Sequence, residues 1–386
     1  MIHPGIAAAE YESRVRALQR GLEQRGSGGA IVTAEANYNY FAGYHHFAPW
    51  TTFCRPVFLF IPARGEPVLL VQSFPAADAS RDVWFDDVRG YDSLTYAPLD
   101  DVLAIAKTLG MAGEPVGMEL GSEHRVGLTP TEFDDLRDRL QAVGSPLVDI
   151  GDLIWDLRVI KSDAEIALHK ESGRIAAAAF ERCFSEIRPG MTEADAIRIM
   201  GEVIAQEGGR PGFFIVTSGP GFYDRVAGLP RERELARGDM LWIDLGVVHR
   251  GYWTDHCRAV VFGGASQEQR DQWGAVTALT KAAVEQCRPG KTPADIASFI
   301  DEEGRSMGLE FSFAAGRSGH GIGIMSTEPP HIALYDRTEL RKGMAFSIEP
   351  GWIDQRHGVF VAEENLVLTG DGVDMITVTP REVVEV

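Results

Sequence analysis

Two aspartates lie inside apolar segments in the second half of the sequence, where a carboxylate is costly to bury. Asp244 stands in Leu-Trp-Ile-Asp-Leu, and Asp255 follows a short polar turn in Tyr-Trp-Thr-Asp-His-Cys. An unpaired buried carboxylate costs several kcal/mol or takes up a proton. The pattern therefore predicts two neighbouring strands whose acidic side chains share a positively charged partner.

Three further groups later in the chain suit the same site. Glu349 lies in Ser-Ile-Glu-Pro-Gly, Glu363 lies in Val-Ala-Glu-Glu-Asn, and His320 lies between glycines in Gly-His-Gly-Ile-Gly. A lone histidine is more often a surface or core residue than a ligand, but this one lies between the two acidic segments, which favours a ligand. Two aspartates, two glutamates and a histidine suit Mn²⁺, Co²⁺, Fe²⁺ or Zn²⁺, and the ligand types alone do not choose among them.

The charge of this set predicts two metal ions. Four carboxylates carry four negative charges, which two divalent cations neutralise. Two such ions about 3.5–4 Å apart can share a hydroxide, lower the pKa of its parent water and bind both oxygens of a tetrahedral intermediate. The set is therefore typical of a hydrolase that activates water.

The elements that carry the acids belong to two related parts of the chain. Residues 188–196 read Arg-Pro-Gly-Met-Thr-Glu-Ala-Asp-Ala, and residues 288–296 read Arg-Pro-Gly-Lys-Thr-Pro-Ala-Asp-Ile. Each copy follows a predicted helix, over 163–187 and 267–287, begins another, and is followed by a strand–turn–strand with two acids. Two unrelated helix starts are the alternative, because this turn and a capping Thr are common. The shared order favours a pseudo-twofold on whose axis the four acids converge.

The first part of the chain predicts a separate small domain. Short apolar strands alternate with amphipathic helices over residues 1–150, which indicates an α/β fold. Ser162 and Glu165 form a capping-box pattern that begins the long helix of the second part. We therefore expect two domains, over residues 1–158 and 159–386.

The composition of the chain limits which partners it can bind and indicates the cell compartment in which it folds. The 386 residues include 56 acidic and 37 basic side chains, and the net charge of −19 argues against nucleic acid or an anionic membrane as a partner. Four widely spaced cysteines without a Cys-x-x-Cys pair fit a reducing compartment. The N-terminal residues lack the pattern of a secretory signal, and no apolar run is long enough to span a membrane. We expect a cytoplasmic protein.

Taken together, the motifs resemble one family. The order Asp-x10-Asp, Gly-His-Gly-Ile-Gly, Ser-Ile-Glu-Pro-Gly and Ala-Glu-Glu-Asn is similar to that of the pita-bread metallopeptidases, which include aminopeptidase P, prolidase, methionine aminopeptidase and the non-metal relative creatinase. Asn-Tyr-Asn-Tyr-Phe-Ala-Gly-Tyr, from residue 37, resembles the creatinase/prolidase-type N-terminal domain. The resemblance implies an α/β N-terminal domain, an α+β pseudo-twofold catalytic domain of the pita-bread type, and a homodimer.

The resemblance assigns roles to individual residues. It implies five metal ligands: Asp244, Asp255, His320, Glu349 and Glu363. Asp255 and Glu363 would each bridge two divalent ions, for which the family favours manganese, with cobalt, zinc or iron as alternatives. Glu363, and not Glu364, matches the family glutamate. Glu349 is also the implied general base. Arg258 matches a family arginine near the site and is a catalytic candidate, with holding a carboxylate as its favoured role.

Two segments depart from the peptidase pattern. Prolidases and aminopeptidases P carry one histidine after a proline, where Arg231 follows Pro230 here, and another seven residues after the metal-binding histidine, where Thr327 stands. His331 can replace one of them as a catalytic or substrate-binding group. Without these histidines, ordinary Xaa-Pro cleavage is less well supported than the metal site itself.

Further substrate-binding candidates are Tyr223, Asp224, Arg225, Thr327, His331 and Trp50. Tyr223, Asp224 and Arg225 lie in a Gly-rich loop and can bind a zwitterion, since an arginine binds a carboxylate and an aspartate binds an ammonium group. A pair of Asp224 with Arg225 that only stabilises the loop is the alternative. Trp50, in an aromatic segment, can reach a neighbouring subunit's site, or the segment can belong to the core or to a dimer interface.

Three functions remain open from the sequence. The first is a dinuclear metallohydrolase that cleaves an amide C–N bond in a small peptide through a metal-bridging hydroxide, as an Xaa-Pro aminopeptidase or dipeptidase does. The second is the same site acting on a small non-peptide zwitterion, like ectoine hydrolase, creatinase or dimethylsulfoniopropionate lyase. The third is a catalytically inactive binding protein.

Overall fold

Residues 5–46, 55–309 and 316–386 are described by a computed structural model, in which the chain forms two units, Met1–Arg158 and Val159–Val386. Trp50 and Cys54 lie outside the described residues. Among the described residues, no helix is both long and apolar enough to cross a lipid bilayer. Cys183, Cys257 and Cys287 are buried free thiols.

The first unit is a six-stranded mixed sheet with helices, as the predicted α/β class requires. The sheet order is β4-β3-β2-β1-β5-β6, with β1–β2 and β2–β3 antiparallel and the other pairs parallel. Its central strands are buried along their whole length, as expected for strands covered on both faces. The elements of this unit are α1 (Ala8–Gln24), β1 (Gly29–Val32), α2 (Glu35–Ala42), β2 (Phe58–Pro62), β3 (Val68–Gln72), α3 (Ser73–Asp82), β4 (Val88–Tyr91), α4 (Leu99–Thr108), β5 (Val116–Met118), α5 (Pro130–Ala142), β6 (Leu147–Asp149) and α6 (Gly151–Arg158).

Over its described residues, the second unit combines four helices with mainly antiparallel strands, and β17 pairs parallel with β9. Its sheets have the orders β17-β9-β8-β7 and β11-β10-β12-β15-β16, and β13 pairs with β14 as a separate ladder. The elements are α7 (Asp163–Glu186), α8 (Glu193–Gln206), β7 (Arg210–Ser218), β8 (Met240–His249), β9 (Tyr252–Val261), α9 (Gln267–Gln286), α10 (Pro293–Ser306), β10 (His320–Gly321), β11 (Glu328–His331), β12 (Ala345–Ile348), β13 (Gly351–Asp354), β14 (Gly358–Val361), β15 (Glu364–Leu368), β16 (Val373–Met375) and β17 (Val384–Glu385).

The two Arg-Pro-Gly repeats form the same local structure. Thr192 caps α8 and closes a capping box with Asp195, and Thr292 caps α10 in the same way with Asp295. Each hydroxyl accepts the N–H of the third helical residue, and each carboxylate accepts the N–H of its threonine, so two otherwise unpaired donors are satisfied. The helix starts in the two parts are therefore equivalent in structure as well as in sequence.

The turns before these helices are also held in the same way. The N–H of Gly190 donates to the carbonyl of Leu235 at 2.8 Å, and the N–H of Gly290 donates to the carbonyl of Leu340 at 2.9 Å. In each part, one long and one short helix thus precede a set of antiparallel strands that carries two acids. This repeated arrangement agrees with the predicted α+β pseudo-twofold and positions the candidate site.

Candidate metal centre

The first pair of acids lies on one face of the hairpin formed by β8 and β9. Asp244 is paired with Cys257 and Asp255 is paired with Gly246, so the two aspartates are diagonal neighbours across the ladder. Side chains two positions apart on a strand point to the same face, and such diagonal neighbours are about 7–8 Å apart at Cα. The hairpin therefore directs both carboxylates to one place.

The second pair lies where two ladders of similar register meet. Ile348 is paired with Glu364 in the β12–β15 ladder, and Gly351 is paired with Val361 in the β13–β14 ladder. Glu349 and Glu363 fall in the short gap between these ladders, at positions that the shared register places opposite each other. The second part of the unit thus supplies two carboxylates from two facing segments of the chain, as the first part does.

His320 lies between these acids on β10. Its Nε2 is 3.6 Å from Oδ2 of Asp255 and 3.5 Å from Oε1 of Glu349. Its Nδ1 is 3.1 Å from the carbonyl oxygen of Gly321, which only accepts, so Nδ1 carries the proton. The Nε2 lone pair therefore faces the carboxylates, which is the tautomer that a metal ligand needs.

The glycines on each side of His320 are required by close packing. A Cβ on Gly319 would lie 2.1 Å from the carbonyl oxygen of Ser347, and a Cβ on Gly321 would lie 2.2 Å from that of Pro329. Gly319 also has φ +152°, a conformation that other residues rarely adopt. The Gly-His-Gly motif thus lets β10 fit between its neighbours.

Burial raises the pKa of each acid in this cluster. Burial, with the nearby Asp244 charge, raises the pKa of Glu349 to about 8. Burial raises the pKa of Asp244 to about 6, although a hydrogen bond with Asp255 lowers it. Burial and neighbouring carboxylates raise the pKa of Asp255 and of Glu363 well above their usual range. Burial and the charge of Arg317 lower the pKa of His320 to about 3, so the imidazole is neutral.

The cluster has the donor atoms that a metal site requires, and the negative charge of its carboxylates is not balanced by nearby cations. One donor atom each from Asp255, His320 and Glu363 lies within 4.8 Å of the other two. Oδ1 of Asp244 and Oε1 of Glu363 are buried without a hydrogen-bond partner among the described residues. Buried polar atoms are almost always paired, so these two oxygens indicate an additional ligand. Four carboxylates and a neutral imidazole fit divalent cations.

Asn365 fixes the position of Asp255. Its Oδ1 accepts from the backbone N–H of Asp255 at 2.7 Å and from the hydroxyl of Thr254 at 2.8 Å, and its Nδ2 donates to the Asp255 carbonyl. A side chain that bonds both backbone groups of one residue limits the rotation of that residue. The sequence analysis missed Asn365, although it directly follows the two glutamates.

Arg258 supports the cluster from behind. All five guanidinium N–H donors are used, by one oxygen of Glu364 and by the backbone carbonyls of Cys257, Glu363, Thr379 and Pro380. The side chains of Arg258 and Glu364 are each 1% exposed. The structure corrects the catalytic assignment of Arg258, because no donor remains for a substrate, and it gives the arginine the role of holding a carboxylate.

The Tyr-Asp-Arg loop gives a mixed outcome. Tyr223 is fully buried, and its hydroxyl accepts from the N–H of Met240, so it has a packing role in place of the predicted substrate contact. Asp224 is exposed, and it forms no ion pair with Arg225 among the described contacts. Arg225 is half-buried, and its Nη1 is buried without a described hydrogen-bond partner. Arg225 therefore stays a candidate.

Arg231 and Thr327 stand at the two positions where the peptidases carry histidines, and neither side chain can replace an imidazole. Arg231 pairs with the fully buried carboxylate of Glu193 and donates to the carbonyl of Ser218, so it stabilises the start of α8. Thr327 is half-buried in the turn before β11. The next residue, Glu328, forms a buried ion pair with Lys161 at 3.3 Å.

His331 lies close to the cluster, together with an arginine that the sequence analysis missed. His331 on β11 is the cross-strand partner of His320 on β10. Its Nδ1 is 3.1 Å from Nη1 of Arg317, which lies three residues before His320. The sequence does contain a signal for Arg317, because it lies three residues before His320 in Gly-Arg-Ser-Gly-His. A cation this close in sequence to a predicted metal ligand is expected near the site.

Comparison with known proteins gives consistent matches over the whole chain. The model for metallopeptidase family M24 matches residues 167–370, and the model for the creatinase/prolidase N-terminal domain matches residues 14–160. An Xaa-Pro dipeptidase from Pyrococcus furiosus is 31% identical over 234 residues, which are 60% of this chain and 67% of the relative. A probable dipeptidase, PepE, from Mycobacterium tuberculosis is 28% identical over 98% of this chain and 97% of its own. The crystal structure of dipeptidase PepE from Mycobacterium ulcerans matches with 27% identity and a TM-score of 0.83, over 99% of each chain.

Proposed function

This chain belongs to metallopeptidase family M24, and from that premise we propose that it hydrolyses the Xaa-Pro bond of short peptides with two divalent metal ions. The observation that carries the proposal is the convergence of four carboxylates and the neutral His320 imidazole at one buried place. The relatives named above as Xaa-Pro dipeptidase and dipeptidase support the substrate class. An ion-pair cluster serving stability alone would not leave two carboxylate oxygens unpaired.

Five residues would hold the metals: Asp244, Asp255, His320, Glu349 and Glu363. When bound, two divalent cations would lower the pKa of a water and polarise the substrate carbonyl. Asp255 and Glu363 are the most deeply buried carboxylates of the set, so a bound cation would be the group that offsets their charge. Asp244 and Glu349 keep partial exposure, so the cluster opens to solvent on their side.

Glu349 is proposed as the general base. Its side chain is 16% exposed and lies beside His320, so a water that enters the site can reach it. A carboxylate next to an activated water is a suitable proton acceptor, and it can return the proton to the departing amine. His331, across the ladder from His320, is proposed to contact the substrate at the edge of the site.

The same site acting on a small non-peptide zwitterion remains the second candidate. Two positions support it. Where the peptidases carry histidines, this chain has Thr327 and Arg231, and Arg231 is paired with Glu193, so neither position offers an imidazole to a peptide substrate. A catalytically inactive binding protein is the third candidate, and the complete set of acids argues against it.

A substrate panel with defined metals tests the proposal. The protein, first stripped with a chelator, is loaded with Mn²⁺, Co²⁺ or Zn²⁺ and offered Xaa-Pro dipeptides, Xaa-Pro tripeptides and small cyclic or zwitterionic solutes. We expect proline release from a dipeptide and two bound metals per chain by elemental analysis, with highest activity in Mn²⁺. Turnover of a solute alone would select the second candidate, and an absence of bound metal would select the third.

We also propose that the protein is a homodimer and that it is located in the cytoplasm. A homodimer is supported by the family resemblance, and a cytoplasmic location is supported by the free thiols of three described cysteines. Light scattering of the purified protein would measure the first, and fractionation of cells would test the second.

A further inference from the structure

A buried ion pair lies close to the strand of His320 and has no part in the proposed metal binding. Nζ of Lys161 is 3.3 Å from Oε2 of Glu328, and both side chains are 1% exposed. Such a pair adds little stability compared with apolar side chains of the same volume, because both charges lose their water. Its attachments to the neighbouring strands indicate a different role.

Glu328 is attached to β10, the strand that carries His320. On β11, Glu328 is the cross-strand partner of Gly321, the residue directly after His320. Its Oε1 accepts from the backbone N–H of Met325 at 3.0 Å, within the turn that joins β10 to β11. The carboxylate therefore holds this turn from the inside.

Gly323 makes room for the same carboxylate. A Cβ on Gly323 would lie 2.4 Å from Oε2 and 2.5 Å from Oε1 of Glu328. The carbonyl of Gly323 accepts from the N–H of Trp253 at 3.0 Å, and Trp253 lies two residues before Asp255 on β9. The third glycine of Gly-His-Gly-Ile-Gly thus lets Glu328 pack against a backbone that also contacts the strand of Asp255.

Lys161 is attached to β12, the strand that leads to Glu349. The N–H of Lys161 donates to the carbonyl of Gly343 at 2.8 Å, and the preceding Ile160 forms a β-bridge with Met344. β12 begins directly after Met344 and ends directly before Glu349. The backbone of Lys161 is therefore fixed to the start of β12, while its ammonium group reaches the carboxylate on β11.

The ion pair thus connects the two strands that flank β10. The sheet order places β10 between β11 and β12. β10 has two residues, so few backbone hydrogen bonds hold it. Its position decides where Nε2 of His320 lies relative to Oε1 of Glu349, which is 3.5 Å away. A connection between β11 and β12 limits how far β10 can move.

Resting on the proposed two-metal peptidase function, we propose that Lys161 and Glu328 are positioning residues that hold β10 between its neighbours and so place His320 among the metal ligands. Both side chains are too deeply buried to contact a substrate. They act through His320, and changes to groups that orient a metal ligand lower metal affinity by about 10- to 100-fold. Loss of the pair should therefore change metal coordination more than folding.

The experiment removes both charges together. The double variant Lys161→Met, Glu328→Gln keeps similar side-chain volumes and an acceptor for the N–H of Met325. Its melting temperature without metal should stay close to that of the wild type, because no buried charge is left unpaired. In calorimetry, its Kd for Mn²⁺ should rise at least about tenfold at one of the two sites. The visible absorption of the Co²⁺-loaded variant, which reports ligand geometry, should differ from that of the wild type.

Two further variants keep both charges. In Gly323→Ala the new Cβ displaces the carboxylate of Glu328, so the Co²⁺ absorption should change and the affinity for Mn²⁺ should fall. Lys161→Arg keeps a cation beside Glu328 and should retain part of the affinity that the double variant loses. Should the double variant not fold, Gly323→Ala decides between the same outcomes.

Met200→Ala is the control for a loss of stability alone. Met200 is fully buried on α8 and packs in the core formed by α7, α8 and the strands β7, β8 and β9. The cavity should lower the melting temperature. The Kd for Mn²⁺ and the Co²⁺ absorption should stay as in the wild type, which separates a positioning effect from a general loss of stability.

The outcomes separate the two proposals. A wild-type Kd and Co²⁺ absorption in the double variant and in Gly323→Ala, or equal changes in Met200→Ala, overturn the positioning role while the peptidase function stands. If the wild type binds two Mn²⁺ ions but hydrolyses no Xaa-Pro peptide, the peptidase function is overturned, and altered coordination in the variants still supports the positioning role. A wild-type protein that binds no metal overturns both.

Discussion

Individual carboxylates in this protein have different roles although all are buried or half-buried. Asp244, Asp255, Glu349 and Glu363 lie close together, and burial raises the pKa of each, although the charge of Arg317 opposes the rise at Asp255 and Glu349. Glu364, the neighbour of Glu363, instead pairs with Arg258 and Arg381 at 2.8 Å each. Burial raises the pKa of Glu364 as well, but its two arginine partners oppose the rise. The presence or absence of such partners separates a candidate cation site from an ion pair that supports structure.

The raised pKa values predict how the metal-free protein responds to pH. The carboxyl of Glu349 has an ordinary pKa of 4.5, raised to about 8, and that of Asp244 has 3.8, raised to about 6. Between each ordinary and raised value the folded protein binds more protons than the unfolded chain, so its unfolding free energy falls as pH rises. The melting temperature of the metal-free protein should fall between about pH 5 and pH 8.

The variant Glu349→Gln provides the control for this pH profile. Glutamine has nearly the same shape and cannot lose a proton, so its melting temperature should fall less over the same range. Saturating Mn²⁺ should also flatten the wild-type profile, because the ligands are then held deprotonated. A metal-free wild-type profile that coincides with that of the variant would contradict the pKa assignment.

The five hydrogen bonds of Arg258 predict a large loss of stability on its removal. Arg258→Met leaves the Glu364 carboxylate with one cation and leaves several buried carbonyls unpaired. Removing one partner of a buried ion pair costs about 3–5 kcal/mol in the free energy of unfolding. Arg198→Met is the control, because its ion pairs lie at the protein surface, where solvent screens them and they add little to stability. Denaturant unfolding measures both, and equal losses would contradict a supporting role for Arg258.

At the scale of elements, the position of a short strand depends on how closely its neighbours allow its backbone to approach. β10 has two residues, yet it lies between β11 and β12 and carries the only histidine of the proposed ligand set. Few hydrogen bonds hold such a strand, so its position depends on how closely its backbone approaches the adjacent strands. The glycines on both sides of His320 permit that approach.

Adding a methyl group beside His320 should therefore disturb the site. In Gly321→Ala the new Cβ would lie 2.2 Å from the Pro329 carbonyl oxygen, so β10 must move away from β11. We expect Mn²⁺ affinity to fall at least about tenfold, as for changes that misplace metal ligands. Gly274→Ala is the matched control, because a Cβ there meets nothing within 4 Å on helix α9. It should raise stability by about 0.5–1 kcal/mol and leave metal affinity unchanged.

At the scale of the whole molecule, the candidate metal centre is formed within the second unit by its two similar parts. The β8–β9 hairpin of one part supplies the aspartates, and the strands around β12 and β15 of the other supply the glutamates. Asn365 and Arg258 connect these parts directly behind the acids. Because each part contributes half of the charge, the parts repel each other at the site unless protons or cations intervene.

Metal binding should therefore stabilise the folded protein. A ligand that binds only the folded state at 100 times its Kd adds about 2.7 kcal/mol to the free energy of unfolding. For a domain of this size we expect Mn²⁺ to raise the melting temperature by about 5–10 °C, and a chelator to reverse the rise. Ca²⁺, which prefers oxygen ligands alone, should give a smaller shift.

The double variant Asp255→Asn, Glu363→Gln tests the source of this effect. It replaces two proposed ligands with neutral amides of the same shape, so the Mn²⁺-dependent shift should disappear while the metal-free protein stays folded. An unchanged shift in the double variant would place the stabilising metal elsewhere on the protein.

Much of the site follows from local sequence. Aspartates inside apolar strands must be directed toward a shared partner, because a buried carboxylate requires one. The Arg-Pro-Gly-x-Thr repeats begin helices by backbone capping, which depends on neighbouring residues only, so both capping boxes form as their sequences indicate. The α/β class of the first unit and the long helix from Ser162 follow in the same way.

Other features depend on contacts between residues far apart in the chain, which no local pattern contains. Tyr223 in a Gly-rich loop suggests a binding residue, yet the loop folds so that its hydroxyl accepts from Met240 in the core. The position of Arg317 depends on His331, which contacts its guanidinium, and on Glu349, whose N–H donates to the carbonyl of the adjacent Ser318. The sequence by itself determined which acids and which histidine are candidates for binding cations, because burial of charge demands a partner. Only the tertiary structure decided that Arg258 is fully paired inside the protein and that Arg317 contacts His331, because long-range packing sets the direction of a flexible side chain.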